Sequence, residues 1–339
     1  MKQVHKVVTG IILAGLFSTT TQAGSVFDSV KEKGYIQCGV SSGLAGFSIP
    51  DLKGNWSGID VDVCRAVAAA VFGDSKKVKY TPTTAKERFT ALQSGEIDIL
   101  SRNSTWTITR DTSLGLNFAG VNYYDGQSFM VKKSLGVSSA LELDGVSVCV
   151  HAGTTTELNL ADYFRTNNME YDVVSFDHAD ETAKAFDAGR CDTLTTDQSG
   201  LYAVRNLLTF PSSAIILPEV ISKEPLGPLV AQGDDEWFNI VRWSLFAMIN
   251  AEELGITSSN IYNMSNSSDP AIRRFLGLEG IKGRGLGLSY TWSSDIIKQV
   301  GNYGESFERN LGMNTALKIK RGHNALWTNG GILYAPPIR

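Results

Sequence analysis

Apolar positions in this 339-residue chain fall into short runs separated by stretches of helical spacing. Residues 35–40 (YIQCGV) read as a short buried strand, and residues 41–54, rich in Gly, Ser and Pro, as a loop. Residues 60–72 carry apolar side chains and alanines at helical spacing until Gly73-Asp74 stops them. A strand over 78–81, a helix over 86–92 ending near Gly95 and a strand over 97–100 complete a β-α-β-α-β unit. That alternation predicts an α/β lobe with a largely parallel sheet.

The pattern then repeats. An extended segment over 127–132 precedes a strand over 146–150, a helix from Gly153 through Phe164, a strand over 172–176, a helix over 179–188 and a strand over 192–195, with a further helix after Asp197. Residues 225–230 (PLGPLV) read as a return connection, and residues 235–254 as a long amphipathic helix rich in Trp and Phe. From Gly255 onward short helices alternate with Gly-rich breaks, and residues 258–268 read as an exposed loop. The expected division is residues 24–130 with 226–339 in one lobe and 131–225 in the other. Two chain crossings, near Met130 and Leu226, would form a hinge, because two connections can bend while both lobes stay rigid.

The N-terminus changes the compartment. Lys2 and Lys6 precede an apolar stretch from Val7 to Phe17, and Thr21-Gln22-Ala23 ends on a small residue. This is a secretory signal with cleavage near Ala23. Its apolar stretch is well short of the roughly 20 residues that span a bilayer. Removing it takes two lysines and no carboxylate, so the formal charge goes from −4 to −6. A mildly acidic chain without a basic run speaks against nucleic acid as a partner. Four cysteines, Cys38, Cys64, Cys149 and Cys191, follow the leader. In an oxidising compartment they predict two disulfides, with three pairings open. A zinc site is poorly supported, since no C-x-x-C and no histidine cluster occurs.

The chemistry concentrates in Asn103-Ser-Thr-Trp-Thr-Ile-Thr-Arg110, directly after an apolar strand. A guanidinium clamps two carboxylate oxygens with parallel N–H bonds, and a hydroxyl such as Thr105 adds a third donor. Gly153-Thr154-Thr155-Thr156-Glu157 opens a helix, where free N–H groups attract an anion. Thr154 and Glu157 also have capping-box spacing. Gly189 to Asp197 (GRCDTLTTD) ends with an acid at a strand terminus, where open α/β sheets bind ligands.

These segments, in this order, resemble periplasmic amino-acid-binding proteins of ABC transporters. Thr105 and Arg110 have the hydroxyl-to-arginine spacing of that family's ligand loop. Trp56-Ser-Gly-Ile-Asp-Val-Asp62 resembles its G-x-x-x-G-F-D-V-D-L segment, with Ile59 in place of Phe. Residues 300–309, 321–327 and Gly330-Gly331 resemble its longer, general L-amino-acid-binding subfamily. The resemblance implies a two-lobed periplasmic-binding-protein type II fold, an L-amino acid as ligand, permease subunits of an ABC transporter as partners, a monomer, and no cofactor. Arg110, Thr105 and Thr155 would take the α-carboxylate. Asp197 would take the ammonium, with the Asn103 carbonyl region as a second acceptor. Asp60 and Asp62 would cap or orient the helix after them. Leu44 stands where many relatives carry an aromatic lid, which fits broad specificity. The spacing from Arg110 to Phe118 is longer than in compact relatives. If the lobes divide as expected, Cys38 pairs with Cys64 and Cys149 with Cys191.

Enzyme readings find little. Of the three histidines beyond the leader only His151 falls near the expected cleft. Some proteins of this fold are dehydratases of the cyclohexadienyl type, and others present ligand to membrane chemoreceptors, so both readings stand as alternatives. Gly283-Arg-Gly-Leu-Gly287 does not follow a strand and reads as a Gly-rich turn rather than a dinucleotide loop.

Overall fold

The computed structural model describes residues 25–280 and 282–339, so the expected leader lies outside the described residues. Two five-stranded sheets organise the chain. In the first, Val78–Thr83, Ile36–Ser41 and Ile99–Leu100 run parallel, and Leu229–Ala231 adds antiparallel to Ile99–Leu100, with Leu116–Phe118 beyond it. In the second, Tyr171–Phe176, Val146–His151 and Thr193–Asp197 run parallel, Gln127–Lys132 adds antiparallel, and Ala214–Ile216 forms the edge. Each sheet therefore takes its fourth strand from the chain just after it has arrived from the other sheet.

The inner parallel strands are short, largely buried runs because helices cover both faces. Ile36, Cys38 and Val40 are fully buried, as are Val148, Cys149 and Val150. Helix Ile59–Phe72 buries almost every residue between the first sheet and helices Asp235–Glu253 and Trp292–Val300. Trp237 anchors that layer: its ring is fully buried and its indole N–H donates to the Asp98 carbonyl at 2.8 Å. Cys38–Cys64 staples the first sheet to its helix, and Cys149–Cys191 joins two strand regions of the second. Among the described residues no helix is long and apolar enough to cross a membrane.

The connections between sheets form a small two-stranded ribbon, Tyr123–Asp125 against Glu224–Leu226. Met130 lies within strand Gln127–Lys132 of the second sheet, a few residues past this ribbon. The two crossings touch backbone to backbone nearby: a Cβ added at Gly227 would sit 1.9 Å from the Gly120 carbonyl oxygen. Only glycine allows so close an approach.

The C-terminal segment packs back on the first sheet's helices and grips the ribbon. Asn324 accepts from Tyr124 N at 2.7 Å and donates to Tyr124 O at 3.0 Å, as a neighbouring strand would. The Tyr303 hydroxyl donates to the Asn122 carbonyl at 2.8 Å. Residues 283–287, read as a Gly-rich turn, lie largely within a 3-10 helix, Lys282–Leu286.

Candidate functional site

The carboxyl ends of the parallel strands of both sheets face one narrow cavity with an internal volume of about 50 Å³, room for only a few waters. Ser41, Arg102 and Asn103 reach it from the first sheet, and His151, Thr155 and Asp197 from the second. Leu44 and Thr105 also line it. Five of the six sequence-derived candidates, Leu44, Asn103, Thr105, Thr155 and Asp197, thus meet on one surface. The sixth, Arg110, stands just behind that wall, 8% exposed, in helix Ile108–Thr112. Its Nη1 donates to the Thr105 carbonyl at 2.9 Å, and its guanidinium lies 5.1 Å from the Phe89 ring centre.

Local rules explain the placement. Thr107 caps the short helix by accepting from Arg110 N at 3.3 Å. Thr154 accepts from Glu157 N at 3.2 Å, while the Glu157 carboxylate takes Gly153 N instead of Thr154 N, so only half of the capping box forms. This leaves Thr155 as the first residue of helix Thr155–Thr166, with its hydroxyl turned toward the cavity region.

Asp60 and Asp62 do not cap their helix, whose N-cap is Gly58 without a side-chain bond. The Asp60 carboxylate reaches forward to the ligand loop, accepting from Asn103 N at 2.7 Å, Asn122 Nδ2 at 2.8 Å and Ser101 Oγ at 3.4 Å. Burial raises its pKa to about 6 against the lowering by these bonds. Asn103, at φ +30°, takes a backbone conformation that asparagine tolerates better than most residues. Asp62 instead ties the C-terminal region, accepting from Ser306 Oγ, Arg309 Nη2 and Asn310 Nδ2.

Four groups at or beside the cavity were not singled out as site residues. Glu224, 1% exposed on the ribbon, accepts from Thr105 Oγ1 at 2.5 Å, Thr155 Oγ1 at 3.1 Å, Asn159 Nδ2 at 2.7 Å and Ser222 Oγ at 2.6 Å. It thereby ties a hydroxyl from the first sheet to groups from the second. Arg88 and Arg102 line the cavity, and His151 was only noted as near it. Burial lowers the His151 pKa to about 4, helped by Arg102, so the imidazole is neutral at pH 7. Asp197 is pushed the other way: burial first, then repulsion from Asp125 and Glu224, holds its pKa well above the carboxylate range. An ammonium beside it would reverse that shift. Exposed Lys86 and Asp177 pair at 2.6 Å, a contact between the two halves of the molecule that is weak in water.

A cavity between two sheets, lined by strand-end residues of both and joined by a two-strand ribbon, is the architecture of a hinged binding protein. Residues 36–260 match the model of the bacterial extracellular solute-binding proteins, family 3. The chain belongs to that family. It is 61% identical over 339 residues to the general L-amino acid-binding periplasmic protein AapJ of Rhizobium johnstonii, covering 99% of each chain. It is 54% identical over 330 residues, 97% of each, to the glutamate/glutamine/aspartate/asparagine-binding protein BztA of Rhodobacter capsulatus. A solved periplasmic binding protein from Brucella ovis with glutathione bound superposes with a TM-score of 0.92 at 58% identity, covering 94% of this chain and 100% of that one. An ancestral arginine-binding protein superposes at TM-score 0.57 and 26% identity over 66% of this chain and 94% of its own. The C-terminal segment beyond residue 260 lies outside the matched family region.

Proposed function

We propose that this protein captures L-α-amino acids in the periplasm and delivers them to the membrane permease of an ABC transporter. The observation that carries this is the convergence of Asn103, Thr105, Thr155 and Asp197 from both sheets on one cavity, with Arg110 directly behind it. The relatives' names point the same way. The family supports export, with cleavage near Ala23, which an intact mass of the secreted protein checks. In this reading the first lobe holds residues up to the ribbon at Tyr123–Asp125 and from Leu226 onward, and the second lobe the segment between.

An α-amino acid divides its charges across the cleft. The α-carboxylate takes the free donors of Arg110 and the N-terminal amides of helix Thr155–Thr166, and the ammonium takes Asp197 and the Asn103 region. Both charges must be paired, or their desolvation outweighs the attraction. Because each charge is met by groups from both lobes, ligand has higher affinity for the closed state and favours it. Leu44, a flexible aliphatic wall, imposes no ring or cation geometry, so more than one side-chain class is accepted. The protein works as a monomer and returns its ligand chemically unchanged.

Native mass spectrometry of the secreted protein, followed by calorimetry with a panel of L-amino acids, tests the proposal. Retained or titrated L-amino acids, recovered intact, are expected. Absence of binding across the panel, or a converted ligand, refutes it.

A further inference from the structure

A second cavity borders the ribbon that joins the two sheets. Its internal volume is about 680 Å³, within the size range of small-molecule sites and well above that of the amino-acid cavity. Tyr123, Tyr124 and Asp125 of the ribbon line it, together with Ser199, Tyr202 and Lys223 of the second lobe and the tail from Lys318 to Asn324. The tail belongs to the first lobe's core, where Leu317 and Ile319 are buried. A ligand in this cavity would therefore touch both lobes at once.

The chain is acidic, yet this lining is cationic. Lys223, Lys318, Lys320 and Arg321 stand against one carboxylate, Asp125. That carboxylate is already engaged, accepting from Gly126 N at 2.8 Å, Ser199 N at 3.3 Å and the Ser199 hydroxyl. Arg321 pairs with Glu252 at 2.9 Å, whereas none of the three lysines joins an ion pair among the described residues. The lysine-bearing stretch is rooted: Ile319 N donates to the Leu311 carbonyl at 2.9 Å, so Lys318 and Lys320 are presented from a fixed backbone. Away from the lysines, Tyr123 is 4% exposed, and burial with repulsion from Asp125 keeps its hydroxyl protonated and able to donate. Gln198 adds an amide.

Helix Gln198–Arg205 is shared by the two cavities. Gly200 and Val204, one turn apart, line the amino-acid cavity, while Ser199 and Tyr202, three apart, line this one. Asp197 directly precedes the helix, and the Ser199 hydroxyl ties it to the ribbon. A shift of this helix is thus felt in both places. The lobes are together in this structure, with the Thr105 and Thr155 hydroxyls 3.2 Å apart. An anion that spans Lys223 and the tail lysines at their present spacing favours this arrangement over an open one.

We propose that this cavity is a second ligand site, for a small polyanion such as a polycarboxylate or a phosphate ester, and that its occupancy favours closure on the amino acid. The coupling rests on the amino-acid-binding reading above; the anion site does not.

Calorimetric titration of the secreted protein with citrate and with pyrophosphate, against sulfate at matched ionic strength, tests the site. Saturable one-to-one binding is expected, and the tighter of the two probes tells a carboxylate source from a phosphate source. The double variant Lys318→Ala/Lys320→Ala should weaken it by at least about fivefold, a modest loss because exposed ion pairs contribute little each, and should leave the affinity for L-glutamine alone unchanged. With L-glutamine saturating the cleft, the polyanion should bind about fivefold tighter, the lower end of usual coupling between sites, and the effect should be reciprocal. Binding no stronger than that of sulfate, or unmoved by the double variant, overturns the site. So does competition with L-glutamine, which would put the polyanion in the cleft. Independent binding of the two ligands overturns the coupling alone. Polyanion binding by a protein that takes no L-amino acid supports the site and refutes the amino-acid reading.

Discussion

Glu224→Gln is the most informative single change in the cleft. The Glu224 carboxylate takes four hydrogen bonds from groups on both sides of the cavity, and it is 1% exposed. A glutamine keeps one acceptor oxygen and turns the other position into a donor that faces hydroxyls and an amide. About two of the four bonds are lost. Bonds to a charged group contribute roughly 1.5–3 kcal/mol each, and the rotating hydroxyls of Thr105, Thr155 and Ser222 recover part of this by accepting. The net loss is about 2–4 kcal/mol. The bonds from Thr105 and from Thr155 with Asn159 exist together only while the two halves are close, so much of that loss falls on the closed state. A ligand that needs the closed state then binds more weakly in proportion to the fraction lost. We expect at least about a tenfold drop in amino-acid affinity by calorimetry, and a larger radius of gyration at partial saturation in solution scattering. Circular dichroism of the variant separates this from unfolding. A folded Glu224→Gln protein with affinity and scattering within twofold of wild type refutes the reasoning.

Arg110→Ala should cost about 2–5 kcal/mol of binding, the range for removing one partner of a desolvated charge pair, and Arg110→Lys should also lose affinity; calorimetry with both near wild type excludes the clamp. Asp197→Asn keeps the side chain's size and removes the charge opposite the ligand's ammonium, so α-amino acids should bind far more weakly; normal affinity would move the acceptor elsewhere. Asp60 titrates near pH 6 folded against 3.8 unfolded, so the folded state binds its proton more tightly. Its contribution to stability is full below about pH 4 and is lost as pH rises through 6. The melting temperature of wild type minus that of Asp60→Asn should therefore fall between pH 4 and 6, and a flat difference counts against it. The Cys38–Cys64 and Cys149–Cys191 links close loops with sequence separations of 26 and 42, for which chain entropy gives about 3.5 and about 4 kcal/mol. Reduction should lower the melting temperature while leaving affinity within a few-fold, since neither link crosses the ribbon.

Strand and helix identities in the two parallel units were legible because each is an apolar run closed by glycine or a polar turn. Residues 35–40 and 146–150 match observed strands Ile36–Ser41 and Val146–His151 to within a residue at either end. The strands that were not legible, Leu116–Phe118 and Ala214–Ile216, have three residues each and no room for alternation to appear. Their pairing depends on which chain segment arrives beside them. The cavity divides the same way. Asn103, Thr105, Thr155 and Asp197 sit in motifs with fixed spacing. Arg88 lies in Lys86-Glu87-Arg88, which reads as a solvated helix face until the second sheet covers it. Glu224, between Lys223 and Pro225, reads as an exposed turn for the same reason.

Asn324 gives the C-terminal segment a mechanical part in the molecule. By bonding both backbone groups of Tyr124 it lays a third leaf on the two-leaf flexure between the lobes. Tyr303 and the Arg321–Glu252 pair clamp that leaf at its base to the first lobe. At its far side the Asn206 amide donates to the Ala316 carbonyl at 3.0 Å, and Ala203 of the second lobe shares an apolar cluster with the tail's Leu311, Leu317 and Ile319. Opening bends the flexure against a leaf held at both ends. The travel of the lobes is then set by the tail as well as by the ribbon, and a reporter or fusion that prises the tail away would change the stiffness of the joint without touching the cavity.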